Sequence, residues 1–237
     1  ISNSWGYTCS YLNLAGTPEK ASISTEGQRM SDVLWTRGIA ELGIEVNEAQ
    51  LDKLKQYVSL LQRWNKTYNL TAIRKPDEMI PAHIFDSLVV APYIEGKNCL
   101  DVGSGAGLPG IPLAIMQPDR HFTMLDTNGK KTRFIQQAII ELGLTNADVV
   151  QSRVEAWKPE ALYDGIISRA FSSIKDFING CSMHLASNGT FYAMKGQFPN
   201  DEMASLPKGF TLVSQNYLEV PYLEGERHLL KIINTYQ

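Results

Sequence analysis

The residues best placed to do chemistry are an acid and three alternating glycines, Asp101, Gly103, Gly105 and Gly107, in the run D-V-G-S-G-A-G. Glycine accepts positive φ and leaves no Cβ between backbone and ligand, so such a turn can press against a bound nucleoside near a helix N-terminus. The dinucleotide fingerprint G-x-G-x-x-G needs glycine at its sixth position, where Leu108 stands instead. A second acid, Asp126, follows Gly105 by 21 residues. There a carboxylate beyond the second strand can accept both ribose hydroxyls, or it can cap the next helix. A glycine turn alone also fits a purely structural strand-to-helix loop. Cations form the other group. Arg169 stands just past a predicted strand, where core packing explains arginine poorly, and Lys195 and Arg227 are expected on the same rim. Lys130 and Lys131 open a helix against its macrodipole, which hints at an external anion such as phosphate. Cys9, Cys99 and Cys181 are scattered, and none lies at metal-ligand spacing from histidine, so neither a disulfide framework nor a metal site is expected.

Periodicity supplies the elements that must hold these groups. Cys99 to Val102 reads as a strand feeding the glycine turn, with a helix from Pro109 to Gln117 behind it. Further strands are predicted at His121 to Leu125, Ala147 to Gln151, Tyr163 to Ser168 and Thr190 to Met194. After the second strand, Asn128 opens a helix whose apolar face is Phe134, Ile135, Ala138, Ile139 and Leu142, stopped by Gly143. Arg153-Val154-Glu155 falls at the carboxyl end of the third strand, where ligand contacts collect in such sheets. A later helix uses Ile174, Phe177 and Ile178. Phe210 to Val220 and His228 to Ile233 predict a terminal antiparallel pair. The expected class is α/β, a Rossmann-like, mostly parallel sheet.

Upstream, Val33, Leu34, Ile39 and Leu42 can line a short helix ending at Gly43. Asn47 and Gln50 form a capping-box pattern ahead of a regular stripe, Leu51, Leu54, Val58, Leu61 and Trp64. Met79, Ile80, Ile84, Leu88 and Val89 follow Pro76 on a third amphipathic segment. His83 and Asp86, three apart on it, are expected to meet as a buried structural pair or at a site rim. Lys66, Arg74 and Lys75 fit a basic surface or an ordinary solvated face.

With 237 residues and a formal net charge of -3, the chain is not built to coat nucleic acid non-specifically, although a local basic face is compatible. No apolar run approaches membrane-spanning length and no basic segment precedes an apolar core, so no membrane partner and a cytoplasmic location are expected. Residues 1–29 are rich in Ser, Thr, Asn and Gly and are expected to be a non-native or disordered leader, with Met30 a natural start. Residues 30–96 form the expected N-terminal helical segment packed on the core, and 97–237 the cofactor domain.

Seven runs together resemble the bacterial RsmG (GidB) family, the S-adenosylmethionine-dependent enzymes that methylate N7 of one guanine in 16S ribosomal RNA. They are W-N-K-T-Y-N-L-T (Trp64 to Thr71), H-I-F-D-S-L (His83 to Leu88), L-D-V-G-S-G-A-G-L-P-G-I-P-L (Leu100 to Leu113), L-D-T-N-G-K-K (Leu125 to Lys131), I-S-R-A-F (Ile167 to Phe171), M-K-G-Q (Met194 to Gln197) and G-E-R-H-L (Gly225 to Leu229). The resemblance covers the chain from Ser31 onward and implies that 97–237 is a methyltransferase domain with a seven-stranded sheet. It implies cofactor contacts at Gly103, Leu108, Val154, Glu155 and Arg169. Asp101, Gly105, Gly107 and Asp126 join them from the residue reading.

Guanine N7 carries a lone pair and no proton, so the implied chemistry needs no general base, and none of the residues is assigned as one. Placement does the work. Arg169 and Lys195 are candidate pocket residues. Arg169 is expected to be bonded to a carboxylate or backbone group rather than aimed at N7, because the product purine gains positive charge. Lys130, Lys131, Lys195 and Arg227 are candidates for RNA phosphate contacts. The implied partner is 16S ribosomal RNA within the small subunit or a precursor, and a monomer is expected. A small-molecule methyltransferase would show a lid and no basic rim; a dehydrogenase would need glycine at 108; a non-enzymatic RNA-binding module would need no cofactor pocket.

Overall fold

The computed structural model describes residues 19–169, 171, 173–203 and 205–235. Its centre is a seven-stranded sheet in the order β3-β2-β1-β4-β5-β7-β6, with β1 (Asn98–Val102), β2 (His121–Asp126), β3 (Ala147–Gln151), β4 (Tyr163–Ser168) and β5 (Leu185–Lys195) parallel. β6 (Phe210–Tyr217) and β7 (His228–Asn234) close it antiparallel. The expected class and the terminal pair are both present. β5 begins five residues before the predicted Thr190, and its outer part, through Asn188 and Gly189, is too polar and glycine-containing to read as a strand from pattern.

Both faces of the central strands β1, β2, β4 and β5 are covered, so neighbouring residues on opposite faces are buried there, whereas the edge strand β6 alternates between half-buried and exposed. Alternate residues sort the two cores. Cys99, Phe122, Met124, Ile167, Tyr192 and Met194 face one layer, with α2 (Glu48–Tyr68), α5 (Gly110–Met116) and α6 (Gly129–Glu141). Leu100, Leu125, Ile166, Phe191 and Ala193 face the other, with α7 (Ile174–Cys181). Asn128, expected to open α6, caps it with Oδ1 accepting from Lys130 N, and Ser173 caps α7 by accepting from Asp176 N.

The N-terminal helices differ more from expectation. α1 spans Glu19–Leu42, so it starts inside the stretch read as leader; the rest of that leader lies outside the described residues. Once a helix is nucleated, each further residue adds a hydrogen bond at little cost, and Glu19, Lys20, Ala21, Gln28 and Arg29 are good helix formers. Its buried contact is Trp35, edge-on to Phe85 with centroids 5.9 Å apart, whereas Val33 is exposed. In α2 the capping box is complete in both directions. The predicted stripe is buried or half-buried, and Tyr57 joins it.

The third segment is α3 (Pro76–Met79), a π-helical stretch Ile80–Phe85, then α4 (Asp86–Leu88). The π-helical stretch corrects the His83–Asp86 pairing. With i→i+5 hydrogen bonds the turn widens, so residues three apart no longer stack on one face. His83 Nε2 lies 2.8 Å from Thr71 Oγ1 and its Nδ1 3.0 Å from Ala82 O, while Asp86 points to two arginines.

Candidate active site

The glycine turn is stitched at every side. Gly103 N and Ser104 N both donate to Leu125 O, joining the ends of β1 and β2. Gly105 N donates to Asp126 Oδ2 at 2.9 Å, and Asn128 N to Asp126 Oδ1 at 2.8 Å. One carboxylate thus fixes both the turn and the entry to α6, so the two readings of Asp126 share a structural component. From the opposite side, the fully buried Tyr57 donates its hydroxyl to Ala106 O at 2.6 Å, a link from α2 to the turn that the stripe pattern did not reveal.

Gly107, at φ +83°, sits so close to Ile111 and Ile135 that a Cβ would lie 2.7 Å and 3.3 Å from their Cγ1 atoms. Gly105, at φ +62°, instead faces open space, its nearest neighbours being Lys131 Nζ at 3.9 Å and Gly103 O at 4.0 Å. Beside the turn opens a cleft of ≈240 Å³ lined by Val102, Gly103, Asp126, Arg153, Val154 and Glu155 among others. Leu108, by contrast, is a core residue 3 % exposed, with its N–H bonded to Ser104 O; the turn points its side chain inward.

Asp101 lies wholly buried behind the turn. Its Oδ2 accepts from Gly110 N at 2.9 Å, its Oδ1 has no partner, and burial pushes its carboxyl up to about 7. That orphaned acceptor and the open space over Gly105 are what a nucleoside ligand with a cationic group requires. The turn, Asp101, Asp126 and Val154–Glu155 therefore fit S-adenosylmethionine.

A second cavity, of ≈390 Å³, is lined by Ile73, Ala82, His83, Asp86, Arg169, Met194, Lys195, Gly196 and Arg227. Arg169, Lys195 and Arg227 thus share one rim at the carboxyl ends of β4 and β5, as expected. Each is held by the protein. Arg169 Nη1 donates to Asp86 Oδ2 at 2.9 Å and to Ala82 O at 3.4 Å, so it meets both a carboxylate and a backbone group where one or the other was expected. Arg227 Nε donates to Asp86 Oδ1 at 2.9 Å. Lys195 Nζ reaches Glu202 Oε1 at 3.2 Å and Phe171 O at 3.4 Å. His83, with its pKa brought down to about 4 by burial and by Arg169, adds no charge at neutral pH. Asp86 as the common acceptor was not legible beforehand, because its two partners come from residues 83 and 141 positions away.

Lys130 and Lys131 stand apart from this rim, beside the glycine turn. Lys131 Nζ lies 4.0 Å from Asp126 Oδ2, so the nearby carboxylate offsets its conflict with the helix dipole without an external anion. Lys130 is exposed. A larger apolar groove, ≈740 Å³, adjoins through Ile73 and Ala82 but lies against α1 and α3, away from the strand ends that carry the polar groups. Among the described residues no cluster of His, Cys, Asp and Glu could hold a metal, and no helix is long and apolar enough to cross a membrane.

Solved structures of similar fold include the glycopeptide N-methyltransferase MtfA in complex with S-adenosyl-L-methionine, with a TM-score of 0.55 at 10 % identity over 64 % of this chain and 94 % of that one. TrmN from Thermus thermophilus gives 0.50 at 17 % identity over 65 % and 48 %. At these identities the likeness is one of fold. Sequence relatives lie much nearer. The proteins named ribosomal RNA small subunit methyltransferase G from Salmonella agona (strain SL483) and Salmonella typhimurium (strain LT2) are each 53 % identical over 197 residues, covering 83 % of this chain and 95 % of theirs. Residues 50–230 match the family model described as GidB, rRNA small subunit methyltransferase G, and the chain belongs to that family.

Proposed function

We propose that the protein uses S-adenosylmethionine to methylate N7 of a specific guanine in 16S ribosomal RNA. One observation carries the reading: in a chain of this family, a glycine-turn cleft and a cationic cavity open at the carboxyl-terminal edge of one sheet. When bound, the cofactor supplies an electrophilic methyl on a sulfonium. The residues around it hold and exclude. Gly103 and Gly105 would bring backbone against the nucleoside, Asp126 would hold the ribose and Val154 and Glu155 the base, while Asp101, buried behind the turn with one oxygen unpartnered, would favour the cationic end through its charge. Tyr57 and Asp126 keep the turn rigid, which matters because transfer by placement alone loses rate steeply with small displacements.

The acceptor guanine enters the cavity beside Arg169, Lys195 and Arg227, with Lys130 and Lys131 meeting phosphates across the turn. A guanine in folded RNA has to be flipped or exposed in a loop to reach such a cavity. A chain of net charge -3 with one compact basic rim draws much of its selectivity from an assembled surface, so the small subunit or a precursor is the substrate in this reading. Residues 30–96 act as the packed helical segment and 97–237 as the methyltransferase domain, working as a monomer in the cytoplasm where subunits assemble.

The test is twofold. Calorimetry should show S-adenosylmethionine binding by the isolated protein, and labelled methyl should pass to small subunits purified from cells lacking the modification. Cofactor binding with transfer to a metabolite pool but not to subunits would overturn the substrate class.

A further inference from the structure

Arginine's commonest grip on guanine is two N–H groups on O6 and N7. In a guanine N7 methyltransferase that grip is inhibitory, since it occupies the lone pair that attacks. Transfer breaks the S–CH3 bond and forms N7–CH3 with that pair; the sulfonium becomes a thioether, the purine becomes cationic, and no proton leaves. Yet the cavity wall carries two arginines. We propose that Asp86 is a positioning residue that holds Arg169 and Arg227 off N7 of the acceptor guanine. The inference rests on the function proposed above.

Three observations support it. Asp86 is 4 % exposed, and each of its oxygens accepts one guanidinium at 2.9 Å, so both arginines are turned toward the same buried carboxylate. Both guanidinium groups are further tethered on the protein side: Arg169 Nη1 also reaches Ala82 O, and Arg227, whose Nε faces Asp86, donates from Nη1 to Glu226 O at 2.7 Å. In Arg227 the engaged Nε takes the Nε–Nη2 edge out of a bidentate grip, and one of the two N–H groups of Nη1 is spent on Glu226 O. Asp86 also brings two positive charges to a net one, which leaves attraction for a phosphate while limiting repulsion of the cationic product. Arg169 extends from the end of β4, Arg227 from the β6–β7 connection and Asp86 from α4, so the carboxylate is the point where three elements meet at the cavity.

The test compares the wild type with Asp86→Asn, Asp86→Glu and Asp86→Asn combined with Arg227→Gln. Readouts are the Kd for unmodified small subunits without cofactor, the single-turnover methyl-transfer rate at saturating cofactor and subunits, and the melting temperature. Freed arginine that bonds N7 must let go before attack, so Asp86→Asn is expected to bind subunits as tightly as wild type or more tightly and to transfer roughly tenfold or more slowly. Asp86→Glu keeps the charge and restores most of the rate. Removing Arg227 in the Asn background raises the rate, although it deletes a further side chain from the site. Asn with an unchanged rate, weaker subunit binding in proportion to its lost rate, or a double variant slower than the single one overturns the assignment. If Asp86→Asn does not fold, the double variant, which leaves fewer unpaired cations, must transfer within tenfold of wild type; a slower rate overturns it. If the wild type itself transfers no methyl to subunits, the proposed function fails instead.

Discussion

Asp101 ties pH to both stability and ligand binding, and the size of the effect follows from its burial. Its carboxyl is pushed up to about 7 from 3.8 by desolvation, which outweighs the lowering by Gly110 N–H and Arg169. Between those values the folded protein keeps a proton that the unfolded chain has lost. The contribution to stability is therefore full below 3.8 and is lost as pH rises through 7. At about 1.36 kcal/mol per pH unit over roughly three units, the loss amounts to about 4 kcal/mol. Asp101→Asn imitates the neutral form, and any cost of its unpartnered amide is independent of pH. Urea unfolding of both proteins without cofactor, from pH 4.5 to 8.5, should show the Asn variant gaining on wild type by an amount of this order as pH rises. A cationic ligand reverses the preference, because it favours ionised Asp101. Wild-type affinity for S-adenosylmethionine should then rise by up to tenfold per unit between pH 5.5 and 7, with proton release visible in buffers of different ionisation enthalpy. The variant should show a flat profile. Parallel pH profiles for the two proteins, in stability or in affinity, would refute the coupling.

The glycine turn makes two contrasting predictions. Gly107→Ala combines a left-handed backbone cost with a collision against Ile111, so it should lose about 2–5 kcal/mol in denaturant unfolding. Gly105→Ala should lose only about 1–2 kcal/mol, for the backbone alone, while its methyl fills the cradle and weakens cofactor binding more than tenfold by calorimetry; wild-type affinity would remove Gly105 from the site. Tyr57→Phe strands the Ala106 carbonyl in the core and should cost about 1–3 kcal/mol, read from the urea midpoint at constant slope. Lys130→Gln should leave cofactor affinity alone and reduce the slope of log Kd against log salt for subunit binding by about one; an unchanged slope would take Lys130 off the RNA path.

Wherever one local rule decided the outcome, the sequence was readable. Asn47 with Gln50, Asn128 before Lys130, and the strands at Ala147–Gln151 and Tyr163–Ser168 all follow from neighbours in the chain. That the glycines and Asp126 come together was legible for the same reason, since a turn and the acid after the next strand are fixed by one βαβ unit. Residues whose roles depend on distant partners were not. Tyr57 lies between the stripe positions and meets the turn only in three dimensions. Asp86 looked like half of a local pair until the π-helical stretch turned it toward Arg169 and Arg227. At Leu108 packing turns the side chain into the core, which leaves its backbone as the part that a cofactor could meet. α1 outran its pattern because helix propagation requires no amphipathic face.

Small ribosomal subunits lacking the modification, incubated with the protein and methyl-labelled S-adenosylmethionine and then cleaved by chemistry specific for 7-methylguanosine, report the atom and the site together. A single cleavage in 16S ribosomal RNA that carries the label is the predicted result. Label in the RNA without cleavage, or cleavage spread over many guanines, would contradict transfer to N7 of one placed base.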